Sequence, residues 1–120
     1  MRTFRNLVLA SALASALLTA GCGGSGRYIQ RGMDAYKFGD YPLAMETLIY
    51  ADTEAGKMNQ KGEVRYLVYR GLTAYKLGKK EEALTFLMKG KVAYKAGDPK
   101  WLTEDIEDEM NKTLAALGAK

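Results

Sequence analysis

Cys22 carries the only thiol in this 120-residue chain, and there is no His. That excludes a His-based catalytic triad, a His metal site, a zinc ribbon and an internal disulfide. The remaining reactive groups are carboxylates, lysines and tyrosines. Glu104, Asp105, Glu107, Asp108 and Glu109 crowd together and resemble a calcium ligand set. They lie along a helical pattern, with no Asp-x-Asp-x-Asp-Gly loop beside them, so they read as a solvated face near a helix N-terminus. Two Tyr-Lys pairs, Tyr36-Lys37 and Tyr75-Lys76, stand 39 residues apart. No ionisable side chain has a sequence neighbour that implies a shifted pKa. The residue types therefore point to binding rather than catalysis. No catalytic residue, metal or cofactor is expected.

The context of Cys22 is more specific. Arg2 and Arg5 precede a charge-free run, Leu7 to Ala20, which ends in small residues. Its fourteen residues would make a helix of about 21 Å, too short for a hydrocarbon core of roughly 30 Å. A basic start, a short apolar stretch and small residues at its end predict an export signal. Leu18-Thr19-Ala20-Gly21-Cys22 resembles the lipobox of bacterial lipoproteins, with Thr19 departing from the commoner Leu. The resemblance implies cleavage before Cys22 and a diacylglycerol on its sulfur. It also implies acylation of the new amine in most cases. Each buried methylene contributes about 0.8 kcal/mol, so two or three chains anchor durably where one does not. Gly23-Gly24-Ser25-Gly26 would then be a short flexible tether. By the same resemblance, Gly23 rather than an Asp after the Cys favours the outer membrane. Cleavage leaves 16 basic against 14 acidic side chains, a net charge of +2. These charges are dispersed, and export removes the chain from the cytoplasm, so nucleic acid is not an expected partner.

The length allows one small domain. Frequent Ala, Leu, Lys and Met, few Val or Ile and only two Pro residues favour helix. The body of the chain repeats at an offset of 39 residues. Arg31, Gly32, Ala35, Tyr36, Lys37, Gly39, Ala44 and Leu48 recur as Arg70, Gly71, Ala74, Tyr75, Lys76, Gly78, Ala83 and Leu87; of these nine compared pairs only Phe38/Leu77 differs. Each unit reads as a helical hairpin. A first helix from Arg27 to Phe38 ends at Gly39, which accepts the left-handed conformation. Asp40 can cap a second helix, about Tyr41 to Ala55, with Pro42 in its first turn. The second unit follows with helices at about Gly62–Leu77 and Lys79–Ala96. Small residues at Gly32, Ala35 and Ala44, and at Gly71, Ala74 and Ala83, allow close helix approach. Ala93-Tyr94-Lys95-Ala96-Gly97-Asp98 reads as another helix ending of the same kind. Asp98-Pro99 then opens a last helix with Leu102, Ile106, Met110, Leu114 and Leu117 on one face and Trp101 as its anchor.

From Arg27 to Ala96 this pattern resembles the tetratricopeptide repeat. Gly32, Gly39, Asp40, Tyr41, Ala44, Leu48 and Ala51 match in the first unit; Gly71, Gly78, Ala83 and Leu87 match in the second. Arg31 and Arg70 stand where the family often has Leu. Ala35 and Ala74 stand where it usually has an aromatic residue, and Gly90 replaces the small Ala that Ala51 supplies. The period is 39 against about 34 in the family, with the extra residues placed in the polar stretch Gly56 to Gly62. The resulting organisation has four parts: a signal peptide over 1–21; Cys22 and the tether over 22–26; two repeats over 27–97, divided near 61/62; and a capping helix over 98–120. The expected fold is all-α, two repeat-like hairpins plus the cap. An ordinary antiparallel bundle is the alternative.

Repeat arrays of this family bind through the surface lined by the first helix of each pair. By that resemblance the partner-binding candidates are Ile29, Met33, Tyr36 and Lys37, then Arg65, Val68, Leu72, Tyr75 and Lys76. Apolar, aromatic and basic groups together suit a peptide or helix with an acidic component. The alternative is that Tyr36 and Tyr75 pack between the units. The expected function is that of a lipid-anchored adaptor facing the periplasm, resembling pilotins and other tetratricopeptide lipoproteins that hold or assemble an envelope protein. A structural subunit docked permanently in an envelope complex is the rival, followed by a small enzyme. Two repeats are fewer than the about three usually needed for stability, which favours a partner, a homodimer or heavy reliance on the last helix. The inner membrane and the cell surface are alternative locations.

Overall fold

A computed structural model describes residues 26–53 and 57–119. The signal peptide, Cys22 and residues 23–25 of the tether lie outside the described residues, as does the expected end of the second helix at Ala55. The described chain is all-helical: α1 over residues 26–37, α2 over Tyr41–Asp52, α3 over Gln60–Lys76, α4 over Lys80–Lys95 and α5 over Glu104–Ala116. A single 3-10 turn, Pro99–Trp101, leads into α5.

Turn chemistry sets these bounds. Gly39 has φ 83° and Gly78 has φ 80°. At each, the following amide reaches back five residues: the Asp40 N–H donates to the Ala35 carbonyl at 2.9 Å and the Lys79 N–H to that of Ala74 at 2.8 Å. This turn ends both α1 and α3 with their last carbonyls satisfied. Asp40 caps α2 by accepting from the Leu43 N–H at 3.2 Å. Asn59 caps α3 by accepting from the Gly62 N–H at 2.7 Å, so that helix starts two residues before Gly62. α4 has no side-chain cap, because Lys79 stands where Asp40 stands in the first hairpin.

Further boundaries differ from expectation: α2 ends at Asp52, with Thr53 as its C-cap, rather than at Ala55. Asp98 caps only the 3-10 turn. Leu102 is extended, with φ −119° and ψ 146°, and is buried, while Thr103 caps α5. The α-helix therefore opens at Glu104 rather than at Pro99. Gly97 is not the expected repeat of Gly39, for its φ is not positive. It is small for another reason: a Cβ there would overlap the Trp101 ring. The left-handed turn recurs instead at Gly118, φ 83°, where the Ala119 N–H donates to the Leu114 carbonyl at 2.9 Å. α1, α3 and α5 thus end alike.

Within each hairpin the helices touch at one matched point. A Cβ on Gly32 would lie 2.6 Å from Leu48 Cγ, and one on Gly71 would lie 2.6 Å from Leu87 Cγ. Both leucines are fully buried. Gly90 brings α4 against Val68 in the same way. The core then runs continuously from Ile29 and Met33 through Leu48, Tyr69, Leu72 and Leu87 to Ile106, Met110 and Leu114.

Adding a methyl at such a contact forces a shift costing about 1–3 kcal/mol. Gly71→Ala should therefore lower the thermal midpoint by several degrees, whereas Gly26→Ala, with open space around it, should not. Matched melts monitored by circular dichroism check this; equal midpoints would mean that the close approach carries no stability.

Candidate functional site

The nine residues expected to line a groove do not form one. Ile29, Met33, Tyr36, Val68 and Leu72 are all buried in the core. Arg65 is half-buried, and its Nε donates to the Trp101 carbonyl at 2.9 Å. Tyr75 is half-buried against Met45, Ala74 and Ala83. Only Lys37 and Lys76 are exposed. The reason is α5. Its apolar stripe, Ile106, Met110 and Leu114, joins the same core cluster as the α1 and α3 residues, with Leu102 just before the helix. Leu117 continues the stripe against Met45, Ala74 and Ala83. Two short hairpins offer their inner helices as the largest apolar surface, and the amphipathic α5 covers it.

A polar link closes that contact. The Tyr36 hydroxyl donates to a Glu109 carboxylate oxygen from α5, a partner 73 residues away in sequence. Lys76 Nζ lies 3.7 Å from the same carboxylate and sits over the Tyr41 ring at 5.8 Å. Tyr69 meets Tyr36 edge-to-face at 5.6 Å. Burial pushes the Tyr36 hydroxyl far above its ordinary range, and the bond to Glu109 adds to the effect. Burial likewise pushes Tyr69 up to about 12. These phenols stay neutral at physiological pH and serve as donors and packing groups. Another member of the acidic run is tied down: Glu107 accepts from the Tyr94 hydroxyl at 3.1 Å, while Asp108 pairs with Lys112 at 3.0 Å on the exposed surface. Among the described residues no group of three acidic, His or Cys side chains could hold a metal ion.

The hairpins are joined on the other side by Arg70. Its guanidinium donates to the Tyr66 hydroxyl and lies 4.3 Å from the Phe86 ring centroid. It stands 3.6 Å from Asp52 of the first hairpin and 3.6 Å from Glu82 of its own. Burial pushes Tyr66 up to about 12, partly opposed by Arg70. Next to this clasp an open groove of about 750 Å³ runs between α3 and α4. Met58, Tyr66, Leu67, Phe86, Met88 and Val92 line it, with Asp52, Glu63 and Lys89 at its rim. Met88 and Val92 are exposed. Sequence reasoning passed over this surface. The available signal was a pair of apolar residues at i and i+4 lying off the core stripe Ala83, Leu87, Gly90 and Tyr94. A second groove, of about 500 Å³, opens between α1 and α2.

No helix among the described residues is long and apolar enough to cross a membrane. No family model, curated protein or solved structure matches the chain.

The buried phenols make stability depend on high pH. An unfolded tyrosine ionises near 10; Tyr36, Tyr66 and Tyr69 ionise higher when folded. Above about pH 10 the unfolded chain holds fewer protons than the folded one, so stability falls as pH rises. The contribution is whole below that point and is lost progressively above it. Melts from pH 8 to 12 should show the midpoint dropping above about pH 10, and Tyr36→Phe should flatten the slope. A Tyr36→Phe profile parallel to the wild type would mean that Tyr36 ionises freely in the fold.

Proposed function

We propose that the protein is a tetratricopeptide-type adaptor, lipid-anchored through Cys22 and facing the periplasm from the outer membrane, where it holds another envelope protein for assembly or scaffolding. The observation that carries the binding part is the open apolar groove at Phe86, Met88 and Val92, set on a rigid helical hairpin. The matched hairpins support the repeat reading, because Gly32–Leu48 and Gly71–Leu87 use the same contact at the same offset. The lipobox-like sequence ending at Cys22 supports the anchor.

The occupied inner face moves the binding surface of this proposal from α1 and α3 to the α3–α4 groove. A groove with methionine and aromatic walls and charges of both signs at its rim suits an amphipathic helix of the partner. Apolar anchors enter such a groove, and the rim sets orientation more than affinity.

The anchor and the groove separate cleanly in experiment. Fatty-acid labelling in a Gram-negative host should mark the wild type and not Cys22→Ser, which lacks the sulfur that takes the lipid. An unlabelled wild type would sink the anchor. Met88→Glu combined with Val92→Glu should lower recovery of the crosslinked partner by about tenfold or more, on the order of 1.4 kcal/mol. The melt should stay put, because both side chains are exposed. Undiminished recovery would place the binding surface elsewhere.

A further inference from the structure

The 39-residue offset identifies an interface that is filled in one hairpin and, among the described residues, unfilled in the other. The second hairpin attaches to the first through Arg70 and Leu77. Arg70 reaches Asp52 of α2. Leu77 packs into the cluster that holds Met45 of α2. The two α3 residues are seven apart, as are the two α2 residues, and the helices meet antiparallel. Thirty-nine residues earlier, Arg31 and Phe38 hold the same places on α1. No hairpin precedes α1 among the described residues. Phe38 is 89% exposed. Arg31 takes part in none of the ion pairs among the described residues, and Leu43 stands where Glu82 supplies Arg70 with an acid in its own hairpin. The docking residues are present with nothing docked.

We infer that a second copy of this chain docks there, so that the first hairpins of two chains form a four-helix bundle with α1 of each beside α2 of the other. The groove between α1 and α2 is self-complementary. Tyr28, Arg31 and Phe38 form one wall; Leu43, Glu46 and Tyr50 form the other. Tyr28 stacks by Tyr50 at 4.7 Å at one end, and Phe38 and Leu43 stand at the opposite end, next to the turn. Arg31 and Glu46 therefore sit at similar heights on antiparallel helices. A two-fold axis running along the groove preserves those heights. It sets Arg31 of each chain opposite Glu46 of the other and Phe38 near Leu43, an acid and an apolar side chain on a face of α2 other than the one where Asp52 and Met45 meet Arg70 and Leu77. A bilayer surface fits this groove less well: it is concave, and Asp34 and Glu46 line it, so anionic headgroups would be repelled. The axis also leaves both N-termini at one end of the bundle, which suits two chains tethered to one membrane. The pairing itself does not depend on the anchor.

The test uses the full chain in membranes, with a photo-crosslinking phenylalanine analogue at position 38. Illumination should give a species of twice the chain mass. Glu46→Arg should reduce its yield by about fivefold, since two opposed pairs become repulsive and each exposed pair is worth up to about 1 kcal/mol. Arg31→Glu together with Glu46→Arg should restore it, because both chains then carry both changes. A crosslink only to lipid, only to a chain of different mass, or to nothing would overturn the proposal. A doubled species insensitive to Glu46→Arg, or not restored by the double change, would overturn this register. Failure here leaves partner capture by Met88 and Val92 untouched, so the two readings fail separately.

Discussion

Every longer-range feature of this protein depends on how closely two helices approach inside each hairpin. Leu48 and Leu87 occupy the space that a side chain on Gly32 or Gly71 would need. At that distance the helix axes lie near enough for Ala35, Ala44 and Ala51 in the first hairpin, and for Ala74, Ala83 and Gly90 in the second, to be buried without a bulky partner. Close approach also narrows each hairpin, so neither has an interior of its own. The larger apolar side chains are left on the two broad faces, and those faces must be covered by the next element. Stacking follows from that constraint, because burying apolar area is the main favourable contribution available.

The chain covers these faces in sequence. The first hairpin receives the second through Arg70 at one end of the α2–α3 contact and Leu77 at the other. The second receives α5, which ends in the same left-handed glycine turn as α1 and α3 and so takes the place of a third inner helix. A third inner helix close behind the first two explains why Tyr36 of α1 can reach Glu109 of α5 past Tyr69 of α3. The consequence for function is direct. A surface that is open in a longer array is filled here by the protein's own amphipathic helix. Open apolar grooves among the described residues lie elsewhere, between α3 and α4 at Met88 and Val92 and between α1 and α2 at Phe38.

Arg70 illustrates how one repeated residue takes different physical roles. Within the stack its guanidinium lies on aromatic rings between two carboxylates, a setting that favours Arg over Lys because a planar cation can stack and pair at once. Its counterpart Arg31 has the same backbone position, but among the described residues no hairpin stands in front of it and it forms no ion pair. Identity at the offset therefore reports the shared hairpin geometry, while the surroundings of each arginine decide which contacts it makes.

Much of the local structure was legible in the sequence, because it depends on neighbours along the chain. The glycines after Phe38 and Leu77, the Asp40 cap and the stripe of small residues are short-range signals, and they place the hairpins and the offset correctly. The apolar face of the last helix was legible for the same reason. Less local features were not. Asn59 as a cap and Thr103 as the true start of α5 depend on which backbone the loops adopt. Gly97 looked like Gly39 by its neighbours, yet its role is to admit the Trp101 ring. Above all, periodicity identifies which side of a helix is apolar but not what covers it. Ile29, Met33, Tyr36, Val68 and Leu72 have the composition of a binding groove and of a core alike. Only the tertiary arrangement, in which α4 meets Val68 at Gly90, α3 meets Ile29 beside Gly62 and Glu109 of α5 meets Tyr36, makes them core, because burial is a property of the element that arrives from elsewhere in the chain.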